Sequence, residues 1–263
     1  MNLNLKIKTF WNKNPCNVKH SKKKFLSREF FNEVTKKRYF VEPHIKKFAN
    51  FKSYNKKNVL EIGCGIGTDA IEFIKSGANY YGTEFSEKSL DITKKRIEIF
   101  NFSKKNPHFF NLDAQNLSEI KKLNIKFDLI YSFGVIHHIP NMKKVFNEIF
   151  KLANKNTEIK IMLYYKNSYK NFLLKSSIYR YERGKNCPLV HKIDLNDLKI
   201  LIKDKFKLIK VHKDFIFPYK ISFYKKNIYK KIDHFDVMPK KIFDNLKENI
   251  GEHMLIYLKK LIV

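Results

Sequence analysis

The sequence predicts a doubly wound α/β fold, and three observations in one short region carry that reading. Residues 59–69 read V-L-E-I-G-C-G-I-G-T-D, a β-type run that stops at Glu61 and passes into glycines at 63, 65 and 67. Thr68 and Asp69 then open an amphipathic segment, A-I-E-F-I-K, and the next apolar run ends in a second acid, Glu84. Glycines so spaced let a backbone turn sharply and approach a ligand that any Cβ would push away. A strand, a glycine turn, a helix and a later acid mark a nucleoside-binding βαβ unit, in which the acid accepts the ribose hydroxyls.

Which nucleoside is decided by detail. A dinucleotide fingerprint requires G-x-G-x-x-G, so that a helix N-terminus meets a pyrophosphate. Here the spacing is G-x-G-x-G, position 68 is Thr, and Asp69 puts negative charge where a phosphate would sit. That pattern suits a cationic ligand with an amino-acid tail. On these residues the chain resembles the class I S-adenosylmethionine-dependent methyltransferases, whose first motif reads E/D-x-G-x-G-x-G. The resemblance implies S-adenosyl-L-methionine as cofactor and methyl transfer as activity. It implies a seven-stranded sheet in the order 3-2-1-4-5-7-6 with an antiparallel last strand. It also implies cofactor contacts from Glu61, Gly63, Cys64, Gly65, Gly67, Thr68 and Asp69.

The remaining elements follow in order. Residues 78–84, A-N-Y-Y-G-T-E, read as the second strand, and the resemblance puts Glu84 and Phe85 at the ribose. Ser86 caps the next helix, E-K-S-L-D-I-T-K-K-R-I-E-I-F, whose apolar positions fall at helical spacing. Residues 108–112 are a third strand ending in Asp113-Ala114, where the family's acid accepts from the adenine amino group. Residues 127–133 are the fourth, ending in Phe133, and Gly134 opens its exit loop, G-V-I-H-H-I-P. In the small-molecule branch of the family such a loop borders the transferable methyl. Residues 158–165 are the fifth strand, and the resemblance covers roughly residues 56–166.

Outside that core the chain carries additions. Residues 1–55 form an N-terminal extension, which in related methyltransferases folds over the cofactor as a lid; residues 56–263 form the methyltransferase domain. Within it, Asp194 caps a helix, residues 206–217 alternate as a strand, and residues 254–260 read as the last strand. Acceptor-side insertions fall at 166–191 and at 218–251, the second expected to be helical. Acceptor selectivity resides in such additions while the cofactor half stays constant.

Charge points less firmly to a partner than its size suggests. Lys and Arg number 54 against 25 Asp and Glu, a formal +29. Yet 49 of the 54 are Lys and only 5 are Arg, beside 26 Asn and 5 Ala. Residues with A/T-rich codons are inflated, and a phosphate-gripping surface would favour Arg for its bidentate geometry. The lysines are spread along the whole chain, so a solvated surface is expected and specific nucleic-acid binding is not. Three cysteines make no disulfide framework, and no run approaches the ~18 apolar residues of a membrane span. With no signal-like N-terminus, a reducing cytoplasm is the expected location.

Candidate chemistry clusters at the fourth-strand exit. His137 or His138 could take a proton from an acceptor, and His137, nearer the strand end, is the expected base. The competing expectation is that one histidine caps the following helix, the other packs, and alignment in a dry cleft suffices. Cys16/His20 and Cys187/His191 both read C-x-x-x-H, but the spacing is not a finger pattern and no metal is expected. Tyr39, Tyr164, Tyr165, Tyr181, Phe217 and Tyr219 are candidates for an acceptor pocket. The loop S-F-G-V-I-H-H is not the N-P-P-Y type that grips a flipped nucleobase amine.

The expected activity is methyl transfer to the oxygen of a small or carrier-bound acceptor. A sugar or surface-glycan precursor ranks first, then a quinone-like or lipid-linked phenol, then an amine. An RNA-associated methyltransferase and a non-catalytic S-adenosylmethionine-binding protein are the readings from other classes.

Overall fold

The computed structural model describes residues 2–176 and 187–261. Seven strands form one sheet in the order β3-β2-β1-β4-β5-β7-β6. They are β1 (Asn58–Ile62), β2 (Asn79–Glu84), β3 (His108–Asn111), β4 (Leu129–Phe133), β5 (Glu158–Tyr164), β6 (Phe206–Asp214) and β7 (His253–Lys260). The first five run parallel, while β7 lies antiparallel between β5 and β6. This is the predicted sheet. The sixth strand is shorter than the predicted 206–217, because Phe215 takes a left-handed backbone (φ +74°) that a strand cannot continue through.

The strand pattern explains why helices cover both faces. Leu60, Ile62 and Ile130 point to one side, Val59, Leu129 and Tyr131 to the other, all fully buried. Parallel strands buried on two faces require two helical layers. The helices, in chain order, begin with α1 (Leu3–Lys13), α2 (Arg28–Val41), α3 (His44–Ala49), α4 (Thr68–Lys75) and α5 (Glu87–Ile99). Next come α6 (Ser118–Lys122), α7 (Met142–Leu152), α8 (Tyr169–Lys175) and α9 (Leu195–Ile202). Then α10 (Ile221–Tyr224), α11 (Asp233–Asp236) and α12 (Lys240–Ile250) fill the predicted helical segment before β7. Ile120, Phe146, Ile149 and Leu198 of α6, α7 and α9 cover one face; Ile45 and Phe48 of α3 and Ile71 and Phe73 of α4 cover the other.

Local signals start the helices where the sequence places them. Ser86 accepts from Ser89 N at 3.1 Å, and Asp194 forms a capping box with Asp197. The first helix was not legible in advance. It lies on α5, held by Lys8 to Glu87 at 2.7 Å and by Ser86 Oγ donating to Asn12 Oδ1 at 2.8 Å. No described helix is long and apolar enough to cross a membrane.

Candidate functional site

A cavity lies over the carboxyl ends of β1, β2, β3 and β4, where a doubly wound sheet places its ligand. Its floor is the glycine loop. Gly63, Gly65 and Gly67 all have positive φ, +79°, +57° and +76°, which side-chain-bearing residues rarely adopt. They differ in what a side chain would meet. At Gly65 a Cβ would meet nothing within 4 Å and would project into the cavity. At Gly67 it would meet Thr93 Cγ2 at 2.9 Å, and at Gly63 it would collide with Val135. Gly67 does not line the cavity: it starts α4 and makes room for α5.

Two acids finish the strand ends. Glu84 accepts the backbone N–H of Gly65 at 2.9 Å and that of Ser86 at 2.8 Å. Burial raises its pKa above the ordinary carboxylate value, and those N–H groups pull against the rise. Asp113 accepts from the Gln115 backbone at 2.8 Å and from its side-chain amide at 3.0 Å. Phe85, Ala114, Phe133 and Gly134 complete the walls, with Cys64 buried in the loop, where burial pushes the thiol well up.

At the far end Asp69 is held by three donors. Tyr39 donates at 2.8 Å, Tyr131 at 2.9 Å and Arg38 at 3.2 Å. Burial works against the Arg38 charge, but Asp69 and Glu42 offset it and keep the guanidinium protonated. Its Nε remains buried with no hydrogen-bond partner. Glu61 behind the loop accepts the Tyr80 hydroxyl, and burial with nearby Asp69 raises it to about 8. Every residue expected at the cofactor except Gly67 therefore lines this one cavity.

The two histidines exchange places relative to expectation. His137 is fully buried, stacked on Tyr164 at 3.9 Å, and neither ring nitrogen has a partner. Burial holds its pKa well below the ordinary imidazole value. His138 lines the cavity, with Nδ1 2.8 Å from Leu189 O and its ring edge-on to Trp11. They sit in a 3₁₀ turn, Ile136–His138, with their rings edge to face at 4.3 Å, so that one ring packs inward on Tyr164 while the other reaches the cavity. Met142, starting the helix, is capped by Asn141 and not by a histidine.

Several lining residues were not singled out in the sequence. Asn4, Ile7 and Trp11 of α1 roof the cavity, and Arg38 reaches it from α2. The signal for Arg38 is compositional only: it is one of 5 Arg among 49 Lys. A second cavity adjoins the first and shares Asn17. It is lined by Glu42, Tyr164, Lys170, Phe215, Phe217, Tyr224 and His253, among others. Of the candidate aromatics, Tyr164 and Phe217 line it, Tyr39 serves Asp69, and Tyr165 and Tyr219 lie off it. Tyr181 falls outside the described residues. The two C-x-x-x-H pairs do not converge: Cys187 lies 3.4 Å from His138, and Cys16 lines the first cavity.

Comparison with known proteins agrees with this geometry. Residues 60–159 match the family model described as a methyltransferase domain. A ubiquinone biosynthesis O-methyltransferase of Pelagibacter ubique is 31% identical over 138 residues, 51% of this chain and 53% of that protein. Its Coxiella burnetii counterpart is 27% identical over 89 residues, 34% of this chain and 36% of that protein. The chain thus spans about half, or less, of the curated relatives it matches. Among solved structures, magnesium protoporphyrin IX methyltransferase of Synechocystis superposes with TM-score 0.61 at 12% identity, covering 99% of this chain and 98% of that one. A possible histamine N-methyltransferase of Thermotoga maritima gives 0.53 at 14%, covering 97% and 100%. At those identities the likeness is one of fold. Sheet order and glycine loop give this chain the class I methyltransferase fold, and residues 60–159 of it match a methyltransferase domain.

Proposed function

We propose that the chain binds S-adenosyl-L-methionine in the first cavity and methylates an oxygen of a small or carrier-bound acceptor held in the second. One observation carries the reading: a single cavity gathers a group suited to each part of that ligand. Glu84 would accept the ribose hydroxyls and Asp113 the adenine amino group. The open space at Gly65 admits the ligand where a side chain would exclude it. Arg38, with an unpartnered buried Nε, would meet the carboxylate of the amino-acid tail, and Asp69 supplies negative charge for its cationic end. When bound, the cofactor supplies an electrophilic methyl on a sulfonium.

The chain's own residues do the rest. Asn4, Ile7 and Trp11 support the role of residues 1–55 as a lid that keeps water from the reacting atoms. Asn17, common to both cavities, marks where acceptor and cofactor meet. Alignment of two bound reactants supplies most of the rate in such a transfer. The named O-methyltransferase relatives favour oxygen over nitrogen. Calorimetry with S-adenosylhomocysteine, followed by tritium transfer into a metabolite extract and into total RNA, tests the reading. Binding with label in the small-molecule fraction is expected; absence of binding, or label in RNA alone, overturns it.

A further inference from the structure

Residues 219–231 form a closed loop beside the second cavity. Tyr219 pairs with Lys231 in an isolated antiparallel bridge, and the Lys220 N–H donates to the Lys230 carbonyl at 2.8 Å. Between those ends α10 carries Phe223 and Tyr224, and the Ile228 N–H returns to the Phe223 carbonyl at 3.0 Å. The loop is anchored on α2. Lys37 Nζ donates to Asn227 Oδ1 at 2.6 Å and lies 4.5 Å from the centre of the Tyr224 ring. Phe40, near the end of α2, packs on Tyr229 at 4.6 Å and stacks on Tyr219 at 6.3 Å.

What this cluster leaves facing water is apolar. Phe40 is 52% exposed, Ile228 49% and Phe223 37%. Tyr229 and Tyr224, 6.1 Å apart, link Phe40 to α10, so the three belong to one surface. A contiguous apolar surface in water marks a place for a partner.

Local charge fixes the sign of that partner. Residues 215–232 hold five lysines and no acid, whereas the whole chain has 54 bases to 25 acids. Lys225, Lys226, Lys230 and Lys231 are exposed, and Lys230 Nζ lies 5.3 Å over the Phe223 ring. Lysine stems cover apolar surface and carry the ammonium outward, while tyrosine joins an apolar ring to a polar tip. Both suit the boundary between hydrocarbon and anionic headgroups. Nucleic acid carries the same sign of charge, but gripping its phosphates favours arginine, and residues 215–232 have none. Aliphatic Ile228 gains from burial among acyl chains, where a stacking base would prefer an aromatic ring.

We propose that this surface docks the protein on an anionic lipid bilayer, with Phe40, Phe223 and Ile228 entering the headgroup layer and the surrounding lysines on lipid phosphates. Ile221, Tyr224 and Lys225 also line the second cavity, so docking sets that side of the cavity against the lipid. The inference stands apart from the cofactor and acceptor assignments.

The test is co-sedimentation of the full chain with vesicles of phosphatidylcholine alone and of phosphatidylcholine mixed with phosphatidylglycerol. Binding to the mixed vesicles and little to the neutral ones is expected. Replacing Lys226, Lys230 and Lys231 together by Gln should weaken it roughly a hundredfold, at about fivefold per lysine near an anionic surface. The same charge removed at Lys121, Lys122 and Lys126 should matter less than about threefold, since separated exposed charges are screened. Those three lie on and just after α6, which covers the other face of the sheet from α3. Apolar insertion resists salt. At ~1 M salt, where electrostatic reach is about 3 Å, the parent should stay bound roughly tenfold more tightly than a Phe223→Ser, Ile228→Ser variant. Melting curves show that each variant is folded. No binding of the parent to mixed vesicles, equal binding to neutral ones, equal losses in the two lysine variants, or equal stripping by salt would overturn the proposal. Capture by total RNA in preference to mixed vesicles would give the surface to nucleic acid and overturn it as well.

Discussion

The backbone N–H of Gly65 donates to Glu84 Oε2 at 2.9 Å, so the tip of the glycine loop and the end of β2 form one unit. The carboxylate is oriented before any ligand arrives, with its second oxygen held by Ser86 N at 2.8 Å. Glu84→Ala removes charge-assisted hydrogen bonds worth roughly 1.5–3 kcal/mol. S-adenosylhomocysteine affinity should fall about ten- to a hundredfold by calorimetry. An unchanged affinity would place the ribose elsewhere.

Two glycines of one loop should fail in different ways. Gly65→Val points a branched side chain into open cavity at φ +57°, so binding should be lost while a cooperative thermal transition persists, lowered by a left-handed backbone cost of its own. Gly67→Ala places a Cβ 2.9 Å from Thr93 at φ +76°. It should lower stability by roughly 1–2 kcal/mol, a left-handed residue's cost, with the ligand site left open. Melting curves beside calorimetry separate the two, and identical behaviour would refute the division.

Arg38 carries the amino-acid tail in this reading. Arg38→Met should weaken S-adenosylhomocysteine at least about tenfold, the loss of one charge-assisted contact. Affinity for 5′-methylthioadenosine, which lacks the tail, should change less than about threefold. Parallel losses for both ligands would assign Arg38 to holding Asp69 and nothing more.

Asp113→Asn keeps the side-chain size and removes its charge. Binding of S-adenosylhomocysteine should weaken more than that of an analogue without the adenine amino group. Equal losses in a direct titration would take Asp113 out of adenine recognition.

Acid should unfold the chain in part through its histidines. Burial lowers His44 to about 4 from 6.5, so the unfolded chain takes up the proton first. The stability this contributes is present above pH 6.5 and is lost as pH falls through about 4. That difference corresponds to about 3 kcal/mol at full titration. Glu61, raised to about 8, acts in the opposite sense, with stability lost as pH rises toward that value. Comparing parent with His44→Phe isolates the histidine: the parent's melting temperature should fall more steeply between pH 6.5 and 4. Parallel curves would show that His44 is already charged in the fold.

The cofactor half is legible in the sequence because its constraints are local. Positive φ at 63, 65 and 67 demands glycine, and an acid closing a strand shows as an abrupt change of polarity. The second cavity and the Arg38 side of the first are not local. His253 meets His44 across 209 residues, and Arg38 meets Asp69 across 31, so no window of sequence displays either pair. His137 and His138 illustrate a finer limit. Neighbours in a tight turn have the same sequence context, and only packing against Tyr164 and Trp11 decides which ring is inside.

The reversed last strand has a consequence for how the protein is made. Because β7 runs against β5, its first residues and not its last reach the ligand-bearing edge of the sheet. A nascent chain can assemble β1 through β5 and the glycine loop early in synthesis. His253 and the strand that carries it arrive some ninety residues after β5 ends at Tyr164. For that interval β5 is an open edge, exposed to pairing with other chains. The strand that carries His253 into the second cavity also ends that exposure, so a lesion in β7 should reduce soluble yield and activity together.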